Sequence, residues 1–404
     1  MPAPPPRIAT VGPRFVLFLT VFIHLLGFGI LLPLLPYYAE TYGANGTAVG
    51  LLNTSFSLMQ FVFAPIWGRL SDRVGRRPII IGSLIVTAGS YLLFATATTL
   101  PVLFISRILA GIAGGVIPTA QAYVADTTTP AERTKGMGLI GAAFGLGFVF
   151  GPAIGGVLSR HGYSVPAYVA CGLALLAALC AAFVLPESLH EEARARAVAA
   201  RRAAPGLLTA VTRPTVGLVL ALFFLGTLAF AMFEGVFALF GEHEYRLGPQ
   251  DIGYLLAYAG VIAAIMQAGL VGFLVKRFGE RALVVSGFGL MAAALALAGT
   301  SPLFGLLLVA LGGLAVGNGL TSPSLAGLTS LLSTADEQGG ILGVYQSLGS
   351  LGRAGGPFIG GIAFDYLGHG SPLVLAGALM ALGAALALRL PARGRNQVAS
   401  ERAA

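Results

Sequence analysis

The chain has 404 residues, 56% of them hydrophobic and only 10% charged, with a formal net charge of +8. An ordinary soluble domain is about 25% charged, and a mean hydropathy of +0.86 is more apolar surface than a water-soluble core absorbs. A soluble globular protein is thereby excluded and an all-α membrane protein is predicted, because in hydrocarbon only a helix or a closed barrel satisfies its own backbone.

Residues 1–14 begin M-P-A-P-P-P-R and show no small-residue cleavage site after a short apolar region. They are read as a retained cytoplasmic segment. Apolar blocks then recur at about 20 residues, the length that crosses roughly 30 Å of hydrocarbon at about 1.5 Å per residue. In the first half they fall at 15–38, 47–69, 79–98, 101–125, 136–159 and 164–185. The first carries His24 and Phe28, the second Phe56 and Gln60, the fourth Arg107 and Gln121, and the sixth Cys171 and Cys180. Those cysteines share one helix too far apart to bridge. Residues 186–213 are Ala-rich and hold Glu187, Glu191, Glu192, Arg194, Arg196, Arg201, Arg202 and Arg213, which predicts a solvated linker between two domains. The second half gives spans at 214–240, 250–275, 282–300, 302–331, 339–364 and 371–390, then a tail at 391–404. Phe230, Phe233 and Glu234 lie on its first span, Gln267 on its second and Arg353 on its fifth. Two bundles, 15–185 and 214–390, are expected.

Of the 24 Lys and Arg, all but Arg107, Arg160, Arg246 and Arg353 fall in the N-terminal segment, the loops after even-numbered spans and the C-terminal tail. The positive-inside rule makes both termini and the linker cytoplasmic. The +8 charge is thus a topology signal and an attraction to anionic lipid, with no call on nucleic acid. Tyr37, Tyr38, Tyr42 and Trp67 sit where interfacial aromatic belts are expected.

The chain repeats itself. Gly138, Gly147, Gly151, Pro152, Gly155 and Gly156 recur as Gly343, Gly352, Gly356, Pro357, Gly360 and Gly361. G-R-L-S-D-R-V-G-R-R from Gly68 is echoed by G-F-L-V-K-R-F-G-E-R from Gly272, and Glu132 by Glu337. Two duplicate bundles facing each other suit a cavity that opens alternately to either side. The glycines predict close helix packing, and Pro152 and Pro357 predict bends. Whether the motif also limits leak between the halves is left open by the sequence.

The segment G-R-L-S-D-R-V-G-R-R-P at 68–78 resembles the signature loop between spans 2 and 3 of the major facilitator superfamily. R-I-L-A-G-I-A-G-G at 107–115 resembles its span 4 motif, and the pattern from Gly138 to Gly156 its span 5 motif of drug and proton antiporters. Together they are most similar to the drug:H⁺ antiporter branch and its tetracycline-exporter-like group. The resemblance covers nearly the whole chain and implies the major facilitator fold with twelve spans. It further implies proton-driven export of a small amphipathic molecule from a bacterial inner membrane by a monomer, without a cofactor. It departs at His24, Ala263 and Met291, where tetracycline exporters carry an acid, a histidine and an aspartate.

The resemblance implies a cytoplasmic gate of Gly68, Asp72, Gly75, Arg76, Arg77 and Asp126, in which Asp72 meets the start of span 11 and Arg76 pairs with Asp126. For Arg107 it implies a part in proton coupling. Charges cost at least about 2.5 kcal/mol in hydrocarbon, so Glu234, Arg107 and Arg353 are expected to face a partner or a cavity. Glu234, the one carboxylate away from the span ends, is a candidate proton carrier or cation site, or else an arginine partner; His24 titrates or bonds a carbonyl. Gln60, Gln121, Gln267, Phe28, Phe56, Phe230 and Phe233 are candidates for lining the cavity or for plain packing. No H-E-x-x-H, nucleophile elbow or Walker motif is present, so neither an intramembrane enzyme nor an ATP-driven pump is expected and no metal ligand set is assigned. A proton-coupled uptake symporter is the alternative.

Overall fold

The computed structural model describes residues 13–128, 130–189, 212–332 and 338–391. The body of the predicted linker, the N-terminal segment, most of the tail, the Glu132 side chain and Glu337 lie outside the described residues. The first half contains α1 (Pro13–Leu31), α2 (Leu35–Glu40), α3 (Gly46–Val74), α4 (Arg76–Ala95), α5 (Leu100–Ile112), α6 (Val116–Thr127), α7 (Pro130–Leu158) and α8 (Ser164–Val184). The second contains α9 (Pro214–Tyr245), α10 (Pro249–Ile265), a π turn (Met266–Leu270), α11 (Val271–Phe278), α12 (Glu280–Thr300), α13 (Phe304–Leu331), α14 (Gln338–Leu367) and α15 (Ser371–Ala387). Among the described residues, eight segments are long and apolar enough to span a bilayer, and three shorter apolar helices complete spans 1, 8 and 12. Span 11 is α14, less apolar because Gly, Ser, Gln and Arg occupy much of it.

Two spans expected as single helices are broken. Span 1 turns at 32–34 between α1 and α2, where Pro33 and Pro36 supply no backbone N–H. Span 4 turns at Ala113–Gly115. There α5 is pressed against α3, since a Cβ on Gly111 would sit 2.3 Å from the Phe56 carbonyl oxygen. Trp67, expected as an interfacial anchor, instead donates its indole N–H to the Ile112 carbonyl at that break. Gly75 (φ 119°) ends α3 and Gly279 (φ 79°) ends α11. The two copies of the loop thus use glycine for the same left-handed turn.

The duplication read in the sequence is a duplication of contacts. In each half span 1 packs on span 5 (α1 on α7, α9 on α14) and span 3 on span 6 (α4 on α8, α12 on α15). Between halves, α3 packs on α14 and α10 on α7, again as a matched pair. The seams lie at the end away from the linker. A Cβ on Gly50 would fall 2.2 Å from the Pro357 carbonyl oxygen, and one on Gly253 2.4 Å from that of Pro152. Toward the linker end the same helix faces part. Cβ atoms on Gly145, Gly141 and Gly138 of α7 and on Gly343 of α14 would meet nothing within 4 Å.

The buried apolar residues follow this division. One cluster joins Leu31, Tyr37, Val49 and Leu52 to Val236, Phe240, Ile252 and Phe364 across the halves. At the linker end Val16, Leu17, Ile80, Val116, Tyr123 and Leu185 form a cluster within the first half alone. The molecule is closed at the far end and cleft at the linker end.

The glycine motif is therefore two motifs in one helix. Gly147, Gly151 and Gly155 face α1, where Cβ atoms would meet Leu25 at 2.8 Å, Gly29 at 2.7 Å and the Ile30 carbonyl oxygen at 2.0 Å. Gly352, Gly356 and Gly360 meet α9 in the same way. Gly156 and Gly361 instead meet the other half, at Gln250 (2.9 Å) and Gly46 (2.2 Å). Gly138 and Gly343 do not pack, contrary to the expectation for the first glycine of each copy, because they lie where the halves diverge. Gly155→Ala is expected to destabilise the protein by about 1–3 kcal/mol, as overpacking against backbone does, whereas Gly138→Ala is neutral or slightly stabilising. Thermal unfolding of the two purified variants against the parent checks the contrast.

Candidate transport cleft and its gates

The loop between α3 and α4 folds its charges into one network. The Arg76 guanidinium, 3% exposed, donates through Nη1 to Asp72 Oδ1 (2.5 Å) and Ser71 Oγ (2.6 Å), and through Nε to Asp126 Oδ2 (2.9 Å). The Arg76–Asp126 pair implied by the family likeness is present. Arg77 donates to the Ala182 carbonyl, tying the loop to α8. Glu187, read in the sequence as a linker charge, caps the start of α4 by accepting from the backbone N–H of Arg76 (2.9 Å) and Arg77 (3.2 Å). An anion belongs at that helix end. A Cβ on Gly75 would lie 2.4 Å from Glu187 Oε2, so glycine there serves both the turn and the cap. The only sequence signal for Glu187 was its place directly after span 6. The expected meeting of Asp72 with the start of span 11 falls on residues 333–340, whose side chains lie outside the described residues.

The cleft begins where the seams end. From the first half Phe28 stacks on Phe56 (ring centroids 5.4 Å) and lies against Phe148 (6.0 Å). From the second half Glu234 and Arg353 act on each other's charge without a direct ion pair, and Arg353 donates to Ser350 Oγ at 3.0 Å. These two groups are counterparts. Gly29 and Gly235 press on Pro152 and Pro357 respectively, so the residues before them, Phe28 and Glu234, correspond; Phe148 and Arg353 correspond by the repeat offset. An aromatic pair in one half thus takes the place of a charge pair in the other.

The remaining candidates divide. Gln267 lies in the π turn of span 8 and is exposed. Gln60 packs over Gly114, 2.9 Å from where its Cβ would be. Gln121 is half-buried, and Phe230 is half-buried against Phe233. Phe233 is 4% exposed and packs on Phe237, so it belongs to the core. Arg107 is 4% exposed, lies over the Phe94 ring at 4.8 Å, and its Nε and Nη2 have no hydrogen-bond partner. His24 is half-buried, with Nδ1 unpartnered.

Sequence reading missed the titratable groups of the far-end seam. Glu40 at the end of α2 and Glu242 and His243 near the end of α9 bring ligand-type atoms within 4.8 Å of one another. The Tyr37 hydroxyl donates to the Leu247 carbonyl across the same seam at 2.7 Å. His243 donates through Nδ1 to the Leu239 carbonyl at 3.0 Å. Burial, then the hydrogen bond and charge of Glu242, push the Glu40 carboxyl up to about 8. Tyr37, Tyr163 and Asp251 complete the titratable surroundings.

The architecture and its motifs agree with known proteins. The family model described as Major Facilitator Superfamily matches residues 17–271 and 243–404. The chain belongs to the major facilitator superfamily. It is 31% identical to multidrug resistance protein 2 of Bacillus subtilis (strain 168) over 378 residues, 92% of this chain and 94% of that one. It is 32% identical to the class C tetracycline resistance protein of Escherichia coli over 348 residues, 84% and 86% of the two chains. Among solved structures, the human organic anion transporter MFSD10 (TETRAN) superposes with a TM-score of 0.70 at 26% identity, covering 93% of this chain and 98% of that one.

In a major facilitator protein the two halves separate at one end while they meet at the other, so a group protonated only in contact makes the closed end pH-sensitive. Glu40 beside Glu242 holds its proton up to about pH 8, whereas a separated, solvated glutamate loses it near pH 4.3. Between those values the closed far end carries the extra proton, so closure is favoured as pH falls and the advantage is lost as pH rises through about 8. Fluorescence energy transfer across the far end, read from pH 9 to pH 5.5, is expected to show progressive closure. Glu40→Gln is expected to flatten the profile.

Proposed function

We propose that this protein is a proton-driven exporter of small amphipathic, drug-like molecules that works by alternating access. The observation that carries the reading is the cleft. Two duplicated halves meet at one end, part at the other, and carry an aromatic pair in the first half and a charge pair at the equivalent place in the second. Aromatic rings bind flat apolar bodies, and a charge pair with no direct ion pair leaves each partner available to a polar group. With the linker end on the cytoplasmic side, the side the distribution of basic residues favours, the cleft opens inward and is placed to take a solute from the cytoplasm or the inner leaflet. Relatives named for multidrug and tetracycline resistance support export over uptake.

Coupling is assigned to Glu234, with Arg107, Arg353 and His24 as the other ionisable groups within the spans. Whether a carboxyl in a helix bundle holds its proton depends on burial and on nearby positive charge, and rocking of the halves changes both for Glu234 relative to Arg353. Asp72, Arg76 and Asp126 form the cytoplasmic gate, with Gly68, Gly75 and Arg77 shaping its loop. The protein acts as a monomer in the bacterial inner membrane, both termini cytoplasmic, drawing on the proton gradient without a cofactor.

Glu234→Gln in proteoliposomes is expected to abolish export driven by an imposed pH gradient while substrate binding and downhill exchange persist. Undiminished gradient-driven export removes Glu234 from coupling, and accumulation of a solute with the gradient establishes uptake instead. A cysteine placed in the 186–213 linker of a Cys171→Ala/Cys180→Ala background is expected to stay unlabelled by an impermeant reagent in intact cells and to react after lysis. Labelling in intact cells reverses the orientation.

A further inference from the structure

We propose that Asp365 is the latch of the outer end: it caps the start of α3 across the seam, and this cap exists only while that end is closed. The inference rests on the alternating-access reading above.

The amino end of a helix leaves backbone N–H groups without intrahelical partners. In α3 one is met locally, since Asn45 Oδ1 accepts from Ala48 N at 3.0 Å. The two preceding donors are met from the other half. Asp365 Oδ1 accepts from Gly46 N (2.9 Å), and Oδ2 accepts from Thr47 N (2.8 Å) and from the Thr47 hydroxyl (2.5 Å). A carboxylate also complements the positive end of the α3 dipole. Gly46 admits it, because a Cβ there would lie 2.8 Å from Asp365 Oδ1. Asp365 is itself exposed, so its three bonds rather than burial in a core hold it in place.

Among the described residues the matched seam has no such device. The counterpart of Asp365 by the repeat offset is Arg160, and it donates to the side chain of Gln250 rather than occupying a helix end. Opening the outer end has to draw the end of α14 away from the start of α3 and hand these donors to water. Asp365 therefore contributes to one conformation and not the other, which is what a gate residue requires. It is a positioning residue, remote from the cleft.

The experiment uses the full chain in nanodiscs, without native cysteines, spin-labelled at Thr98→Cys and Leu303→Cys, two exposed sites at the outer end of opposite halves. Pulsed dipolar spectroscopy reads the ratio of long to short distances. Asp365→Asn is expected to raise that ratio about tenfold, from a lost charge-to-helix-end interaction and a lost acceptor. Asp365→Glu is expected to return most of the short population, and Gln250→Ala at the matched seam to leave the ratio within about twofold of the parent. An unchanged ratio in a monodisperse Asp365→Asn sample overturns the latch, as does equal opening by Gln250→Ala. Should Asp365→Asn not fold, Thr47→Val removes one bond and is expected to move the ratio the same way by a smaller factor; no movement overturns the proposal. No substrate or gradient enters this readout. If the ratio shifts as expected while the parent shows no gradient-driven export, the exporter reading fails and the latch stands.

Discussion

Everything in this molecule depends on how closely its backbones approach. Lipid is as apolar as leucine, so helices in a bilayer gain little by hiding apolar side chains from it and associate through packing of small residues instead. Here the approach is close enough that a single Cβ on Gly155, Gly50 or Gly361 would fall about 2.0–2.2 Å from a carbonyl oxygen of the neighbouring helix. Those of Gly147, Gly151 and Gly155 fix spans 1 and 5, and those of Gly352, Gly356 and Gly360 fix spans 7 and 11, into stiff units, while Gly50 and Gly361 close the seam between them. A stiff bundle moves as a body, and a transporter that rocks needs two such bodies.

The same helices provide the seams between the bodies. Spans 5 and 11 turn one glycine face to their own half and another to the opposite half, so each is both a structural member and a hinge surface. Where the seams rest on backbone contacts at Gly50, Gly253 and Gly361, they resemble surfaces that part and rejoin. The devices that bias this equilibrium are polar and sit at the ends. Arg76 between Asp72 and Asp126 stiffens the loop at the linker end, while Asp365 on α3 and the Glu40–Glu242 pair fasten the far end.

Symmetry and its breakage divide the labour. Duplication supplies two matched bundles, but the residues at equivalent places differ: Phe28 and Phe148 in one half answer Glu234 and Arg353 in the other. Two identical charge pairs would double the cost of burial, and two aromatic pairs would remove the carboxylate to which coupling is assigned. In the exporter proposed above, one of each gives a cleft suited to an amphipathic body that also holds an acid.

Composition and periodicity by themselves determined the twelve spans, the two halves and the matched motifs, because the hydrophobic thickness of a bilayer dictates span length and repeats show as constant offsets. The Arg76–Asp126 pair was legible through the family likeness of its loop. The breaks in spans 1 and 4 were not, since Pro33 and the glycines at 114 and 115 stand within runs apolar enough to read as continuous. Only the tertiary structure decided which face of span 5 or 11 each glycine serves, and that Phe233 belongs to the core while Phe28 meets Phe56 and Phe148. It alone brought Glu40 to Glu242 and Asp365 to Gly46, across some 200 and 319 residues of sequence. Those contacts depend on how two rigid bundles meet, a geometry that no local pattern in the chain encodes.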